Sequence, residues 1–163
     1  MSRPARPALL PVRDGVSASC LVARPGDAAT ALALLAQRLP ALTIGDWAGR
    51  LAAGEVLNAQ GQPVAAGTPC RSGDRLYYYR RLDGEPPPPE PARVLFQDAW
   101  LVVADKPHFM PVTPSGRFVQ RSLLVQLKRQ LGLPHLSPVH RIDRETAGLV
   151  VLAVQPHTRD AYQ

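Results

Sequence analysis

The sequence predicts an α+β fold that is divided into two small domains by a proline-rich linker. Two leucine- and alanine-rich segments between residues 27 and 56 have the spacing of amphipathic helices. Four consecutive prolines occupy positions 86–89, and aliphatic segments rich in valine and leucine follow at 94–103 and 149–154. A chain of 163 residues is long enough for two such domains.

The chain begins with residues 1–15, whose prolines and arginines predict a flexible arm. The first domain is predicted to span residues 16–82. Its first helix follows Asp27, a residue type that caps helix N-termini, and ends at Pro40.

A second helix is predicted over residues 43–56, with Gly54 ending it. Its apolar face is formed by Ile44, Trp47 and Leu51. Because Trp47 falls on this face, we expect it to lie in the core rather than to stack on a base.

A β-prone strand at residues 73–81 contains three consecutive tyrosines. Strand alternation places Tyr78 on the opposite face from Tyr77 and Tyr79. Two interpretations stay open for this strand. It forms an RNA-contacting edge together with the adjacent arginines, or it packs into the domain.

Residues 83–92 are predicted to be a semi-rigid polyproline spacer, an interpretation that explains their position better than a ligand for a proline-recognition domain. The second domain, residues 93–163, opens with two strands joined by a turn at Gln97 and Asp98. A helix is predicted over residues 122–131, with Lys128 and Arg129 exposed to solvent.

The residues most suited to chemistry are at positions 140–148, a charged segment closed by a glycine and followed by an aliphatic strand. Asp143 is flanked by Arg141 and Arg144, whose positive charges favour an ionised carboxylate. Such a carboxylate can act as a nucleophile or a base. The alternative is an exposed loop with ion pairs of little energetic value.

The segment His-Arg-Ile-Asp-Arg-Glu-Thr-Ala-Gly, with the aliphatic strand after it, resembles the RluA-type pseudouridine synthases. Their motif is His-Arg-Leu-Asp-x-x-Thr-Ser-Gly, so Ile142 and Ala147 are conservative exchanges. A protein-kinase catalytic loop does not fit, because Ile142 separates Arg141 from Asp143 and the other kinase motifs are absent.

The second domain resembles that family in its opening strands and in Asp-Lys-Pro at positions 105–107, although His108 and Phe109 replace the usual Ala/Ser-Gly. The resemblance implies the N-terminal part of a mixed, mainly antiparallel catalytic sheet. In the first domain, the second helix ends in Gly-x-Val-x-Asn-x-x-Gly-x-x-Val at positions 54–64, and Gly73-Asp74 precedes a strand. This pattern resembles the small ribosomal-protein S-four-like RNA-binding domain, but the first helix lacks the arginine-rich, aspartate-bearing sequence usual there.

The resemblance also implies roles for residues of the motif. Asp143 is the catalytic carboxylate, as a nucleophile or as a base. Arg141 fills the gap left by a flipped nucleotide or holds its phosphate. His140, Arg144 and Thr146 complete the substrate-binding set, chiefly by positioning the loop.

The implied activity is isomerisation of uridine to pseudouridine in ribosomal or transfer RNA, with base flipping and without metal or organic cofactor. The alternative is a non-catalytic RNA-binding fragment. Thr158 is predicted to cap a last helix. Because the pattern of this helix stops after one turn, we expect a chain truncated within the catalytic domain, which by itself lacks part of the active site. The sequence does not define the oligomeric state.

Composition fits an RNA partner. Lys and Arg number 19 against 13 Asp and Glu, which gives a net charge of +6 and attracts phosphates. DNA is not an expected partner. Two cysteines, Cys20 and Cys70, and no apolar signal segment predict the cytoplasm. No apolar stretch approaches the about 20 residues that cross a bilayer, and the scattered histidines do not form a metal-site pattern.

Overall fold

The structure, a computed structural model, describes residues 10–81, 84–87 and 90–162. The chain divides into two compact units. The first comprises Met1–Pro11 and Ser17–Arg80, and the second comprises Val12–Val16 and Arg81–Gln163. Most of the predicted flexible arm, residues 1–9, lies outside the described residues.

The first unit contains two helices and three short strands. In chain order these are β1 (Ser19–Val22), α1 (Ala31–Arg38), α2 (Ile44–Ala52), β2 (Val56–Leu57) and β3 (Arg75–Tyr78). The strands form an antiparallel sheet in the order β1-β3-β2. Both helices contribute to one core with this sheet, in which Leu34, Leu35, Trp47 and Val56 are almost completely buried.

The first helix starts later than the sequence predicts. It follows Thr30 instead of Asp27, so the prediction that Asp27 caps it is wrong. The Asp27 carboxylate accepts a hydrogen bond from the backbone N–H of Arg24 at 2.8 Å and pairs with the Arg38 guanidinium at 2.8 Å. These contacts stabilise the loop before α1 and tie it to the last turn of the helix.

The second helix has a capping box at its N-terminus. The Thr43 hydroxyl accepts from the Asp46 backbone N–H at 3.1 Å, and the Asp46 carboxylate accepts from the Thr43 backbone N–H at 2.9 Å. The predicted stop at Gly54 fits its φ of +68°. Trp47 is buried as predicted, whereas Ile44 is exposed because it is the first helical residue and lies outside the packed part of the face.

The contacts of the three tyrosines in and directly after β3 favour packing into the domain over an exposed RNA-contacting edge. Tyr77 is buried. The Tyr78 ring meets the Trp47 ring edge to face, with 5.4 Å between their centroids. The Tyr79 hydroxyl donates to the carbonyl oxygen of Pro11 at 2.5 Å.

The second unit is built on a four-stranded antiparallel sheet. Its elements are β4 (Arg93–Gln97), β5 (Leu101–Lys106), α3 (Leu123–Leu131), β6 (Ser137–Pro138) and β7 (Gly148–Ala153), and the sheet order is β4-β5-β7-β6. A mixed α/β structure with antiparallel sheets therefore agrees with the predicted class. Within the described ranges, no helix has the length and apolarity to cross a membrane.

The hairpin of β4 and β5 and the helix α3 agree with the sequence. The turn is held by the Asp98 carboxylate, which accepts from the backbone N–H groups of Trp100 and Leu101 at 2.7 Å each. Gly132 ends α3 in the left-handed conformation. The core between sheet and helix is formed chiefly by Val102, Ala104, Val150, Leu152, Leu123 and Leu127.

Two predictions in the second unit are wrong. Lys128 is buried, because its aliphatic stem packs against the unit, and this burial lowers the pKa of its amino group. Arg129 is exposed as predicted. Thr158 does not cap a helix with its side chain. Its hydroxyl donates to the Gln155 carbonyl at 3.0 Å, and a single 3₁₀ turn follows at Arg159–Ala161.

Part of the predicted spacer is bound to the second unit. The Glu85 carboxylate accepts hydrogen bonds from the backbone N–H groups of Val119, Gln120 and Arg121 at 2.8, 2.9 and 3.0 Å. The predicted linker positions 83, 88 and 89 lie outside the described residues. The carboxylate of Glu85 thus ties this segment to the residues that precede α3.

Candidate active site

The charged segment at residues 140–148 forms a loop between β6 and β7. Its central turn is closed by the Thr146 backbone N–H, which donates to the Asp143 carbonyl oxygen at 3.1 Å. The Asp143 side chain is exposed, and among the described residues none donates a hydrogen bond to its carboxylate. The carboxylate is therefore free to contact a bound molecule.

A buried lysine side chain fixes the backbone of this loop. The Lys106 side chain at the end of β5 has no solvent-exposed surface. Its ammonium donates to the carbonyl oxygens of Pro107, Met110 and Arg144 at 3.0, 2.7 and 3.2 Å. The three N–H donors of an ammonium match these three acceptors. Because Arg144 directly follows Asp143, Lys106 fixes the backbone beside the candidate catalytic carboxylate.

The environment of Lys106 acts on its charge in two opposing ways. Burial lowers the pKa of its amino group, while the negative charge of Glu145 raises it. In the part of the chain that the structure describes, no carboxylate forms an ion pair with Lys106. Backbone carbonyls therefore provide the direct compensation for this buried cation.

A histidine adds a second contact to the loop backbone. His108 Nδ1 lies 2.7 Å from the carbonyl oxygen of Glu145. Since a carbonyl oxygen only accepts, Nδ1 carries the proton. Together, Lys106 and His108 hold the two consecutive carbonyls of Arg144 and Glu145.

His140 fixes the loop to β7 on the other side. Its Nε2 accepts a hydrogen bond from the backbone N–H of Val151 at 3.1 Å, so this contact requires an unprotonated Nε2. The positioning role predicted for His140 fits this geometry. Ile142 is partly buried and packs against the core of the second unit, which anchors the residue before Asp143.

The two arginines that flank Asp143 differ in their contacts. Arg144 pairs with Glu145 at 2.6 Å, and its guanidinium carbon lies 5.6 Å from the centre of the Phe118 ring. The hydrogen bond from Arg144 lowers the pKa of the Glu145 carboxyl, helped by a backbone hydrogen bond within Glu145 itself. Arg144 is thus engaged by Glu145 and Phe118.

Arg141 is the available cation of the loop. Its side chain is exposed, and no described residue forms a hydrogen bond or ion pair with it. Thr146 is also exposed and uses its backbone N–H for the turn. The structure therefore brings the five predicted site residues into one loop, with Asp143 and Arg141 the most open to a ligand.

The structure adds Lys106 and His108 to the site. The alternation of β5 contains a signal for Lys106, because it is in phase with the buried Val102 and Ala104. Because a charged residue is usually exposed, periodicity alone does not identify Lys106 as buried. For His108, the signal in the sequence is that it stands where the resembled family usually has alanine or serine.

No group of three or more histidine, cysteine, aspartate or glutamate side chains lies close enough to hold a metal ion, among the residues described. The polar side chains of this loop are the carboxylates of Asp143 and Glu145, the guanidinium groups of Arg141 and Arg144, the imidazole of His140 and the hydroxyl of Thr146.

Comparison with known proteins identifies the same part of the chain. Residues 100–163 match the family model described as RNA pseudouridylate synthase. The matched segment contains β5, α3, β6, β7 and the whole loop with Asp143.

Individual relatives agree with this match. A protein of Synechocystis named an uncharacterized RNA pseudouridine synthase is 37% identical over 106 residues, which is 65% of this chain and 36% of the relative. RNA pseudouridine synthase 5 of Arabidopsis thaliana is 38% identical over 53% of this chain and 26% of its own length.

A mitochondrial tRNA pseudouridine(32) synthase of Saccharomyces cerevisiae is 34% identical over 57% of this chain and 20% of that protein. The chain thus spans about a third or less of the length of these curated relatives.

Proposed function

We propose that this chain carries the catalytic carboxylate of an RNA pseudouridine synthase, and that Asp143 is this carboxylate. The observation that carries the proposal is the exposed Asp143 side chain on a loop whose backbone is fixed by the buried Lys106. A side chain that must contact a substrate atom needs a fixed backbone and must itself be accessible. The family match of residues 100–163 supports the same assignment.

The reaction exchanges one bond of uridine for another. The bond from the ribose to a ring nitrogen of uracil breaks, and a bond from the same ribose carbon to a ring carbon forms. The nitrogen gains a proton, and the ring carbon loses one, so neither redox chemistry nor group transfer to a second molecule is needed. Asp143 would act as the nucleophile toward sugar or base, or as the base that deprotonates the sugar.

Access to the target base requires the nucleotide to leave its stack. Arg141, a loop cation that has no partner among the described residues, would fill the gap left by the flipped nucleotide or hold its phosphate. His140 and Thr146 would keep the loop in its binding geometry. Arg144 would contribute by fixing Glu145 and the backbone next to Asp143.

We propose ribosomal or transfer RNA as the substrate, and the yeast relative described above is named as a tRNA enzyme. The first unit would serve as an S-four-like RNA-binding domain, and DNA is not part of the proposal. We place the protein in the cytoplasm on the basis of its free thiols, Cys20 and Cys70, although one yeast relative is named as mitochondrial. No cofactor is needed for the proposed isomerisation.

We also propose that catalysis needs sequence in addition to this chain, which would close a pocket around Asp143. The relatives are longer, and the second unit exposes large apolar side chains on its sheet, including Phe96 on β4 and Leu149 on β7. Such exposure indicates a sheet face that further protein can cover. The same observation supports the second candidate function, a non-catalytic RNA-binding fragment, because a chain without this cover would not close a pocket around Asp143.

The two candidates are separated by an activity assay on unmodified ribosomal and transfer RNA transcripts, with pseudouridine detected by mass spectrometry. The chain would be compared with a version extended by the C-terminal sequence of a relative, each with and without Asp143→Ala. The proposed function predicts activity of the extended protein that depends on Asp143. Salt-dependent RNA binding without any pseudouridine would favour the binding fragment.

A further inference from the structure

A cavity of about 740 Å³ lies in the second unit beside the Asp143 loop. Its walls include Pro107, His108 and Phe109 from the turn after β5, and Ala147 from the loop itself. A volume of this size lies within the range of about 300–1,000 Å³ found for small-ligand pockets, so a nucleobase with its ribose fits. Asp143 does not line this cavity, so a base bound in it would be a different base from the one that Asp143 would attack.

Phe109 presents an aromatic ring at this cavity. Phe109 is 54% exposed as a residue, and its φ of +63° is a left-handed conformation that a bulky residue rarely adopts. Residues held in this region cost energy and persist where the surroundings impose them. The conformation therefore indicates that neighbouring residues impose the backbone path at Phe109.

The neighbours of Phe109 are fixed on both sides. The His108 ring is bound to the Glu145 carbonyl at 2.7 Å, and the Met110 carbonyl accepts from the Lys106 ammonium at 2.7 Å. Met110 itself is completely buried. These contacts connect the turn that carries Phe109 to the same loop backbone that positions Asp143.

We propose that Phe109 is a stacking platform for a second, unpaired base of the RNA, adjacent to the uridine that Asp143 would attack. This inference rests on the proposed function. An exposed ring of this kind offers a π-face to any base, and base–aromatic stacking tolerates different sequences. His108 supports the platform by tying its turn to the loop, so the second base and the reacting uridine share one rigid support.

The first test uses the full chain and a short fluorescein-labelled oligouridine RNA. Phe109→Gly removes the ring and suits the left-handed backbone, so it isolates the platform without strain. We expect it to weaken binding about 5- to 150-fold, the equivalent of about 1–3 kcal/mol per stacked base. Phe96→Ala, which removes another half-exposed aromatic ring outside the cavity, should leave the affinity unchanged.

A second variant reports stacking directly. In Phe109→Trp, oligouridine should quench the added indole fluorescence, and an oligomer with abasic sugars in place of its bases should not. Equal affinity of Phe109→Gly and the wild type, or no binding of oligouridine by the wild type, would overturn the inference. An indole at 109 that is shielded from acrylamide without RNA in the extended protein would also overturn it, because protein would then cover the ring.

These measurements are independent of catalysis. Phe109→Trp can be combined with Asp143→Asn, so that RNA binds without turnover. If oligouridine then fails to quench the indole fluorescence, the stacking platform is refuted while the proposed function is not tested. Absence of pseudouridine from the extended wild-type protein refutes the proposed function even if Phe109 stacks on RNA.

Discussion

The ammonium of Lys106 donates a hydrogen bond to the carbonyl oxygen of Arg144 at 3.2 Å, which joins the buried end of β5 to the residue after Asp143. The contact connects the core of the second unit to its most polar loop. It allows the loop backbone to be rigid while the Asp143 side chain stays exposed.

Replacing Lys106 should loosen this loop. Lys106→Met keeps much of the side-chain volume but leaves carbonyls of Pro107, Met110 and Arg144 without their donor. We expect the free energy of unfolding to fall by about 1–3 kcal/mol, measured in urea. Hydrogen exchange at the Thr146 amide should become faster.

Lys128→Met is the matched control, because Lys128 is also a buried lysine of the second unit. This substitution should not change hydrogen exchange at the Thr146 amide, because Lys128 lies in α3 and not beside the loop. Equal protection of Thr146 in Lys106→Met and the wild type would show that the lysine does not position the loop.

The two loop arginines should differ in their effect on RNA binding. Arg141 has no protein partner among the described residues, whereas Arg144 is engaged by Glu145 and Phe118. Arg141→Ala should weaken binding of oligouridine and reduce the slope of log K against log salt by about 1. Arg144→Ala should reduce that slope less. A salt slope that is unchanged in Arg141→Ala would exclude a phosphate contact.

Glu85 should keep the linker segment bound to the second unit. Glu85→Gln replaces the carboxylate that accepts from Val119, Gln120 and Arg121, and an amide is a weaker acceptor. We expect faster hydrogen exchange at these three amides and faster proteolysis of the linker. Glu90→Gln, a nearby exposed glutamate, is the control, and equal effects of both substitutions would argue against a specific role of Glu85.

The capping box of α2 should make the stability of the first unit depend on pH. Hydrogen bonds from the Thr43 hydroxyl and backbone lower the pKa of the Asp46 carboxyl below its ordinary 3.8. Its contribution is therefore complete above that value and is lost as the pH falls through the lowered pKa.

Thr43→Ala should reduce the free energy of unfolding by about 1 kcal/mol at neutral pH, and Thr43→Ser should retain most of it. Thermal unfolding followed by circular dichroism between acidic and neutral pH measures both effects. A difference between Thr43→Ala and the wild type that stays constant into strong acid would contradict the role of the Asp46 carboxylate.

The elements that the sequence predicts well are those with a local signal. The β4–β5 hairpin follows from aliphatic residues on both sides of Asp98, and α3 follows from its leucine spacing and from Gly132. The loop with Asp143 has a local signal because charged residues are concentrated next to an aliphatic strand. In each case neighbouring residues determine the conformation.

The features that the sequence does not reveal depend on distant contacts. Asp27 has the right type for a cap but pairs with Arg38, 11 residues away. Glu85 binds amides that are 34–36 residues further along the chain. Lys128 shows that a charge does not ensure exposure when its stem can pack. Such pairings arise only when the chain has folded.

The central claim is that the exposed carboxylate of Asp143 performs the isomerisation. Its most direct test is the rate of pseudouridine formation in unmodified RNA by the extended protein, comparing Asp143→Asn with Asp160→Asn, an exposed aspartate outside the loop. We predict that Asp143→Asn lowers the rate at least about 100-fold with little change in RNA affinity, while Asp160→Asn has no effect. Near wild-type rates for Asp143→Asn would contradict the claim.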